Sequence, residues 1–331
     1  MNRTPLFRVA VVSLAVLALA LPVFAKDDAL SLVPANAVTV GMVKLADMRT
    51  SPLSSLLFQH TDKMSTDGEA ARFLSEAGLS PTKDVDVLVV ATSPRTALGT
   101  EADVLVIAEG RFNAERLTSA LVARGATKKG GYILFPNDEK SDDHGPGAVA
   151  FATPSLAIAG SERAVAAALA ARTSGGTGFR TRGSLGTDLH RVDATATAWA
   201  LIDVTRAARL TKGGTVPTGK GQAGEAGQAG EALQAALKSV STMAVWAKDK
   251  GDSLELGAFG LSSDKETLEL LEDTIRGGLS ALRLAVKDKS PEMVTVLRRF
   301  DVSLKNDSIL VEGSIPASSI RELMAKKRAS N

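Results

Sequence analysis

Residues Val149-Ala-Phe-Ala-Thr-Pro-Ser-Leu-Ala-Ile-Ala-Gly-Ser161 and Val302-Ser-Leu-Lys-Asn-Asp-Ser-Ile-Leu-Val-Glu-Gly-Ser314 align without a gap, 153 positions apart. Val149/Val302, Ser155/Ser308, Gly160/Gly313 and Ser161/Ser314 are identical, and the apolar positions stay in phase. In the second copy Phe300, Val302 and Leu304 alternate with Asp301, Ser303 and Lys305. A period of two with one polar side is the pattern of an antiparallel strand with one wet face. Asn306-Asp307 suits a tight hairpin turn. Each copy therefore reads as strand, turn, strand. Self-similarity at one long offset points to a duplicated unit.

The match extends outward from these hairpins. A helix is expected after each, over Ser161 to Arg172 and from Ser319 to about Lys327. Upstream, Val85-Asp-Val-Leu-Val-Val90 and Asp103-Val-Leu-Val-Ile-Ala108, followed by a helix from Asn113, resemble Ser241-Thr-Met-Ala-Val-Trp246 and Ser253-Leu-Glu-Leu256, followed by a helix from Asp264. Farther back, Val38-Thr-Val-Gly-Met-Val43 resembles Thr197-Ala-Trp-Ala-Leu-Ile202. Ser263-Asp-Lys-Glu266 and Ser319-Ile-Arg-Glu322 have the form of capping boxes, and Asn113 is placed to cap its helix. Leu268, Leu271, Ile275, Leu279 and Leu282 then form one apolar stripe at helical spacing.

These elements predict an α+β fold of two tandem repeats, each a mainly antiparallel sheet with helices packed on one face. The units span 30-172 and 190-328, joined by a linker at 173-189 that reads as unstructured. A flexible insertion at 211-230, with seven glycines, interrupts the second unit.

Residues 1-25 read as a secretory signal peptide. Arg3 and Arg8 lead an apolar run from Val9 to Leu21, and Val23-Phe24-Ala25 offers small residues at a cleavage site. No later stretch reaches membrane-spanning length without a charge. The mature chain is thus expected to carry no transmembrane segment and to be periplasmic or extracellular after cleavage near Ala25. The formal charge of +2 resides in that segment, which leaves 37 basic and 37 acidic residues in the other 306. Such balance argues against a nucleic-acid partner. With ten Phe, two Trp and one Tyr, aromatic platforms are few. The absence of Cys excludes disulfides, thiolate metal sites and a cysteine nucleophile.

No motif for catalysis, cofactor or metal survives inspection. Gly214-Thr-Val-Pro-Thr-Gly219-Lys220 has phosphate-loop spacing, but Gly221 stands where a Ser or Thr is needed and no strand leads into it. Gly219-Lys-Gly221-Gln-Ala-Gly224 is a weak dinucleotide-type match in a glycine-rich tract. Ser80-Pro-Thr-Lys83 fits the serine–lysine pattern of penicillin-interacting enzymes, yet strand-like sequence follows at once and the companion motifs are missing. Ser262-Ser-Asp-Lys265 is better read as a helix start. The three histidines, His60, His144 and His190, lack metal-ligand spacing. The acidic run Asn137-Asp-Glu-Lys-Ser-Asp-Asp-His144 departs from a calcium loop at its sixth and twelfth positions, Asp143 and Val149. Lys326-Lys327-Arg328 fits the end of a helix, where cations are favoured.

The entry Leu32-Val-Pro-Ala-Asn-Ala-Val-Thr-Val40, and the closing pattern from Pro291 through Phe300-Asp-Val, Ser308-Ile-Leu-Val and Pro316-Ala, resemble a family of uncharacterised secreted bacterial proteins, a domain of unknown function built of duplicated strand-strand-helix units. The resemblance implies an envelope location and a short helix from Pro291. It implies no catalytic residue. The expectation is an exported, non-catalytic envelope protein that binds an envelope protein or a small ligand on its sheet faces or in the groove between its units. The alternatives are a periplasmic hydrolase of an envelope polymer or ester, and a carrier of a small apolar ligand.

Overall fold

A computed structural model describes residues 28–54, 75–96, 101–135, 146–176, 178–210, 239–288 and 290–329. The signal-like residues 1-25, the acidic run at 137–144 and the insertion at 211-230 lie outside these.

The fold is α+β, built on one antiparallel sheet of twelve strands. The strands are β1 (Thr39–Lys44), β2 (Val85–Pro94), β3 (Ala102–Gly110), β4 (Thr127–Lys129), β5 (Tyr132–Leu134), β6 (Gly147–Thr153), β7 (Leu156–Ser161), β8 (Ala198–Asp203), β9 (Thr242–Asp249), β10 (Ser253–Leu261), β11 (Asp301–Lys305) and β12 (Ser308–Pro316). Their spatial order is β11-β12-β10-β9-β8-β1-β2-β3-β7-β6-β5-β4. The two expected sheets thus run on as one, because β1 pairs with β8. An unpaired strand edge exposes a row of N–H and C=O groups, and mutual pairing satisfies both edges at once. The outer edges are short and charged: β4 ends in Lys128 and Lys129, and β11 carries Asp301 and Lys305.

The β1–β8 register runs Thr39↔Ile202, Val40↔Leu201, Gly41↔Ala200, Met42↔Trp199 and Val43↔Ala198, so it is centred on Gly41 and Ala200. Counting outward, β1-β2-β3-β7-β6 and β8-β9-β10-β12-β11 follow the same connectivity, and β5-β4 extends the first side only. The matched hairpins keep phase in their first strands. Val149 and Val302 both turn to the same side of the sheet, opposite Ala159 and Val311. The second strands slip by one. Gly160 is registered opposite Leu105 and Gly313 opposite Leu256, and these leucines point to opposite faces. A pairing irregularity between Phe151 and Thr153 absorbs the extra residue, and a one-residue slip turns each later side chain over.

Helices cover both faces. On the first, α1 (Leu45–Thr50), α2 (Ala114–Val122), α6 (Val204–Leu210) and α7 (Lys265–Val286) bring Leu45, Leu117, Val204, Leu268 and Leu271 against Leu88, Ala108, Ile202, Ile309 and Val311. On the opposite face, α3 (Glu162–Thr173), the 3-10 turn Ala29–Leu32 and the chain after α3 cover Val40, Val89, Leu105, Ile107, Ile158 and Leu201. The one-face expectation is corrected here. Leu105 and Ile107 of β3 are buried under α3 and the turn on this face, while Val104, on the other, is 45% exposed.

The linker is corrected as well. Residues after α3 form the short helices α4 (Phe179–Arg182) and α5 (Ser184–Asp188) and a 3-10 turn, Leu189–Arg191. Phe179 and Leu185 are buried among Leu30, Leu32 and Val33. Burial of two large side chains, each worth roughly 1.5–3 kcal/mol, fixes a segment whose Gly-Thr composition gives it little local preference.

Local starts and stops follow their side chains. Asn113 accepts from Arg116 N–H at 3.0 Å and caps its helix as the sequence predicts, and Ser161 accepts from Ala164 N–H at 3.3 Å and caps α3. Pro291 opens α8 (Pro291–Leu297). Two capping boxes shift. Asp264, not Ser263, caps α7, accepting from Glu266 N–H at 3.2 Å, because Ser262 ties the preceding turn by accepting from Asp264 N–H. The last helix, α9 (Ala317–Ala329), starts at Ala317, so Ser319 lies inside its first turn. The stripe on α7 holds from Leu268 to Leu279; Leu282 is exposed.

Candidate ligand site

The joint between β1 and β8 places alternating side chains on the face covered by α4, α5 and the Ala29–Leu32 turn. Met42 and Trp199 are cross-strand partners there, and Trp199 is also opposite Trp246 of β9. The only two tryptophans of the chain are therefore neighbours on one face. Gly257 of β10 makes room for the second: a methyl at that position would sit 2.1 Å from the Trp246 indole. Trp246 also packs on Phe259, with ring centroids 6.2 Å apart.

Above this floor the helical segments leave a hollow of about 520 Å³. Leu30, Met42, Leu189, Val192 and Trp199 supply apolar walls, and Lys44, Arg180, His190 and Asp193 supply polar groups. That volume and that mixture are those of small-molecule sites. Its wall depends on Gly186, where a methyl would lie 1.9 Å from the Phe179 carbonyl oxygen. A second hollow of about 530 Å³ lies between α2 and the β4–β5 hairpin, lined by Glu115, Thr118, Lys128, Tyr132, Val149 and Phe151. It is a side groove far from the joint, with one Lys and one Glu opposed. Of these two hollows, the central one joins both halves and gathers several charged side chains.

Those charges are unequally committed. Asp193 Oδ1 accepts from the Thr195 hydroxyl at 2.6 Å and from its N–H at 2.8 Å, while Oδ2 accepts from Lys248 Nζ at 3.2 Å. The Thr195 bonds above all, with Lys248 added, hold this carboxyl down at about 2 against the opposing effect of burial. Lys248 is correspondingly raised, chiefly by Asp193. Arg180 pairs with Asp28. Lys44 Nζ donates to the Ala194 carbonyl at 3.1 Å and has no carboxylate partner among the described residues. His190 is exposed, with Nδ1 2.6 Å from the Thr187 carbonyl.

Of the residues weighed in the sequence, only His190 reaches this hollow. Strand does not follow Ser80 at once as read, since a short helix, Pro81–Asp84, carries Lys83 before β2 begins at Val85; the Ser80 N–H donates to Asp84 at 2.7 Å, and its hydroxyl lies 3.4 Å from Thr82 with no hydrogen bond to Lys83 among the described residues. His60, His144, the acidic run and both glycine patterns fall outside the described residues. Among the described residues, no group of three His, Asp or Glu comes together to hold a metal ion, and no helix is long and apolar enough to cross a membrane. Met42, Lys44, Arg180, Asp193 and Trp199 were not singled out by sequence. Trp199, one of two tryptophans, was the one legible sign.

No family model matches the chain, and no curated protein matches it. Solved structures do. Crystal form III of TP0453 superposes with a TM-score of 0.50 at 11% identity, covering 91% of this chain and 99% of that one. The fold resembles that of TP0453. Crystal forms I and IV of TP0453 give TM-scores of 0.46 and 0.47, each at 10% identity and 91% coverage of this chain. At such identity the likeness concerns the fold alone.

Proposed function

We propose that the chain is an exported binding protein that holds a small molecule in the hollow at the β1–β8 joint. The observation that carries this is the hollow itself, with Trp199 and Met42 as floor and Lys44, Arg180, His190 and Asp193 around it. Its lining includes no Ser, Thr or Cys that His190 could activate and a single carboxylate, Asp193. Binding is thus favoured over hydrolysis, which needs a nucleophile beside a base or two carboxylates around a scissile bond.

Export is supported by the charged start, apolar run and small-residue site in residues 1-25, and by the resemblance of the Leu32–Val40 entry to secreted bacterial proteins. The equal strand connectivity on either side of the joint supports an internal duplication as the origin of the fold. Native mass spectrometry of protein purified from its own host tests the binding function. A retained small molecule whose loss changes Trp fluorescence is expected. A chain that carries nothing and shows no fluorescence change on incubation with host extract sinks the reading.

A further inference from the structure

We infer that the hollow selects a small organic anion, its apolar body seated on Met42 and Trp199 and its anionic head held by Lys44. This rests on the reading of the hollow as a ligand site. The charge balance of the lining is the argument. Asp193 is satisfied by Thr195 and Lys248, and Arg180 is paired with Asp28. Lys44 spends one of its three N–H donors on the Ala194 carbonyl and faces no carboxylate among the described residues. The hollow therefore carries an uncompensated positive charge beside apolar walls. A cationic ligand is repelled there. A neutral one leaves the spare donors of Lys44 unpaired as it displaces their water. An anion gains charge-assisted hydrogen bonds, the stronger kind.

Size narrows the class. About 520 Å³ suits one ring system or one short chain and is too small for a bulky polymer segment. A polyanion is disfavoured too, since it needs an extended basic stripe. The ligand is then a monocarboxylate or a similar organic anion with a compact apolar body.

Titration calorimetry on the full chain with octanoate, 1-octanol and octylammonium separates the cases. Octanoate is expected to bind saturably and about tenfold or more tighter than the other two, the effect of one charge-assisted contact. Lys44→Gln is expected to weaken octanoate about tenfold and leave octanol unchanged, and Lys44→Arg to restore most of the loss. Circular dichroism and thermal melts check that both variants are folded. If octanol or octylammonium binds as well as octanoate, or Lys44→Gln changes nothing, selection of an anion is overturned while the hollow stands as a site. If none of the three binds, and Trp fluorescence is unmoved by all of them, both the inference and the site fall.

Discussion

Met42 and Trp199 face each other across the one strand pair that joins the two halves of the sheet, and both line the central hollow. The floor of the hollow and the structural joint are thus the same residues. Trp199 is 6% exposed, so Trp199→Ala is expected to cost about 3–5 kcal/mol. Urea denaturation checks this, and the same variant should lose binding before it loses fold. Trp199→Phe should keep the fold and shift ligand affinity only. Wild-type stability in the alanine variant would show that the joint is held elsewhere.

Asp103 anchors the start of α3 to β3. It is 6% exposed and accepts from Ser161 at 2.9 Å, Arg163 at 2.8 and 2.5 Å, and Arg95 at 3.1 Å. Asp103→Asn removes the charge that Arg163 pairs with and weakens the contact to Arg95, which keeps its pair with Glu101. A loss of about 2–3 kcal/mol in denaturant unfolding is expected, at the modest end for a buried pair because Arg163 is half exposed. A change under about 0.5 kcal/mol, the scale of an ordinary surface substitution, contradicts this role.

The carboxyl of Asp193 gives a pH dependence with a definite sign. Its folded value, about 2, lies below the ordinary aspartate range. The carboxylate therefore stabilises the fold at all pH above that range, and the contribution fades as pH falls through about 4 towards about 2. Its side chain is 35% exposed, so solvent screening reduces the size of the effect. In melts across this window, wild type and Asp193→Asn should differ most above pH about 4 and converge near pH about 2. A constant gap refutes the assignment.

Gly186 tests the folded linker. Adding a methyl 1.9 Å from the Phe179 oxygen forces α4 and α5 apart. Gly186→Ala should lower the melting temperature and speed proteolysis within 173–192, with the loss of binding following from the moved wall. Unchanged protection of that segment would mean that α4 and α5 do not pack as described. By contrast, a methyl at Gly251, in the β9–β10 turn, meets nothing within 4 Å, and only its positive φ of 83° opposes alanine there.

Alternation at Phe300–Lys305, the Asn306-Asp307 turn and the Asn113 cap are local, so each was legible in the sequence. Turn and cap preferences act within four residues and do not wait for the rest of the chain. The β4–β5 hairpin around Gly130 and Gly131 went unread, because two three-residue strands carry too little periodicity. The hollow was illegible for another reason. Lys44, Arg180 and Trp199 come from a strand end, a glycine-rich connection and the other half of the chain, and no spacing rule links them.

The sequence by itself determined the strand–turn–strand units, their helices and their order, because these are set by side-chain periods of two and 3.6 and by residues that start and stop them. Only the tertiary structure decided that β1 and β8 pair into one continuous sheet, that helices pack on both of its faces, and that the connection after α3 folds over the joint. Edge pairing and face burial are long-range choices, settled by backbone groups needing partners and apolar surface leaving water. The hollow and its charge are a product of that last step.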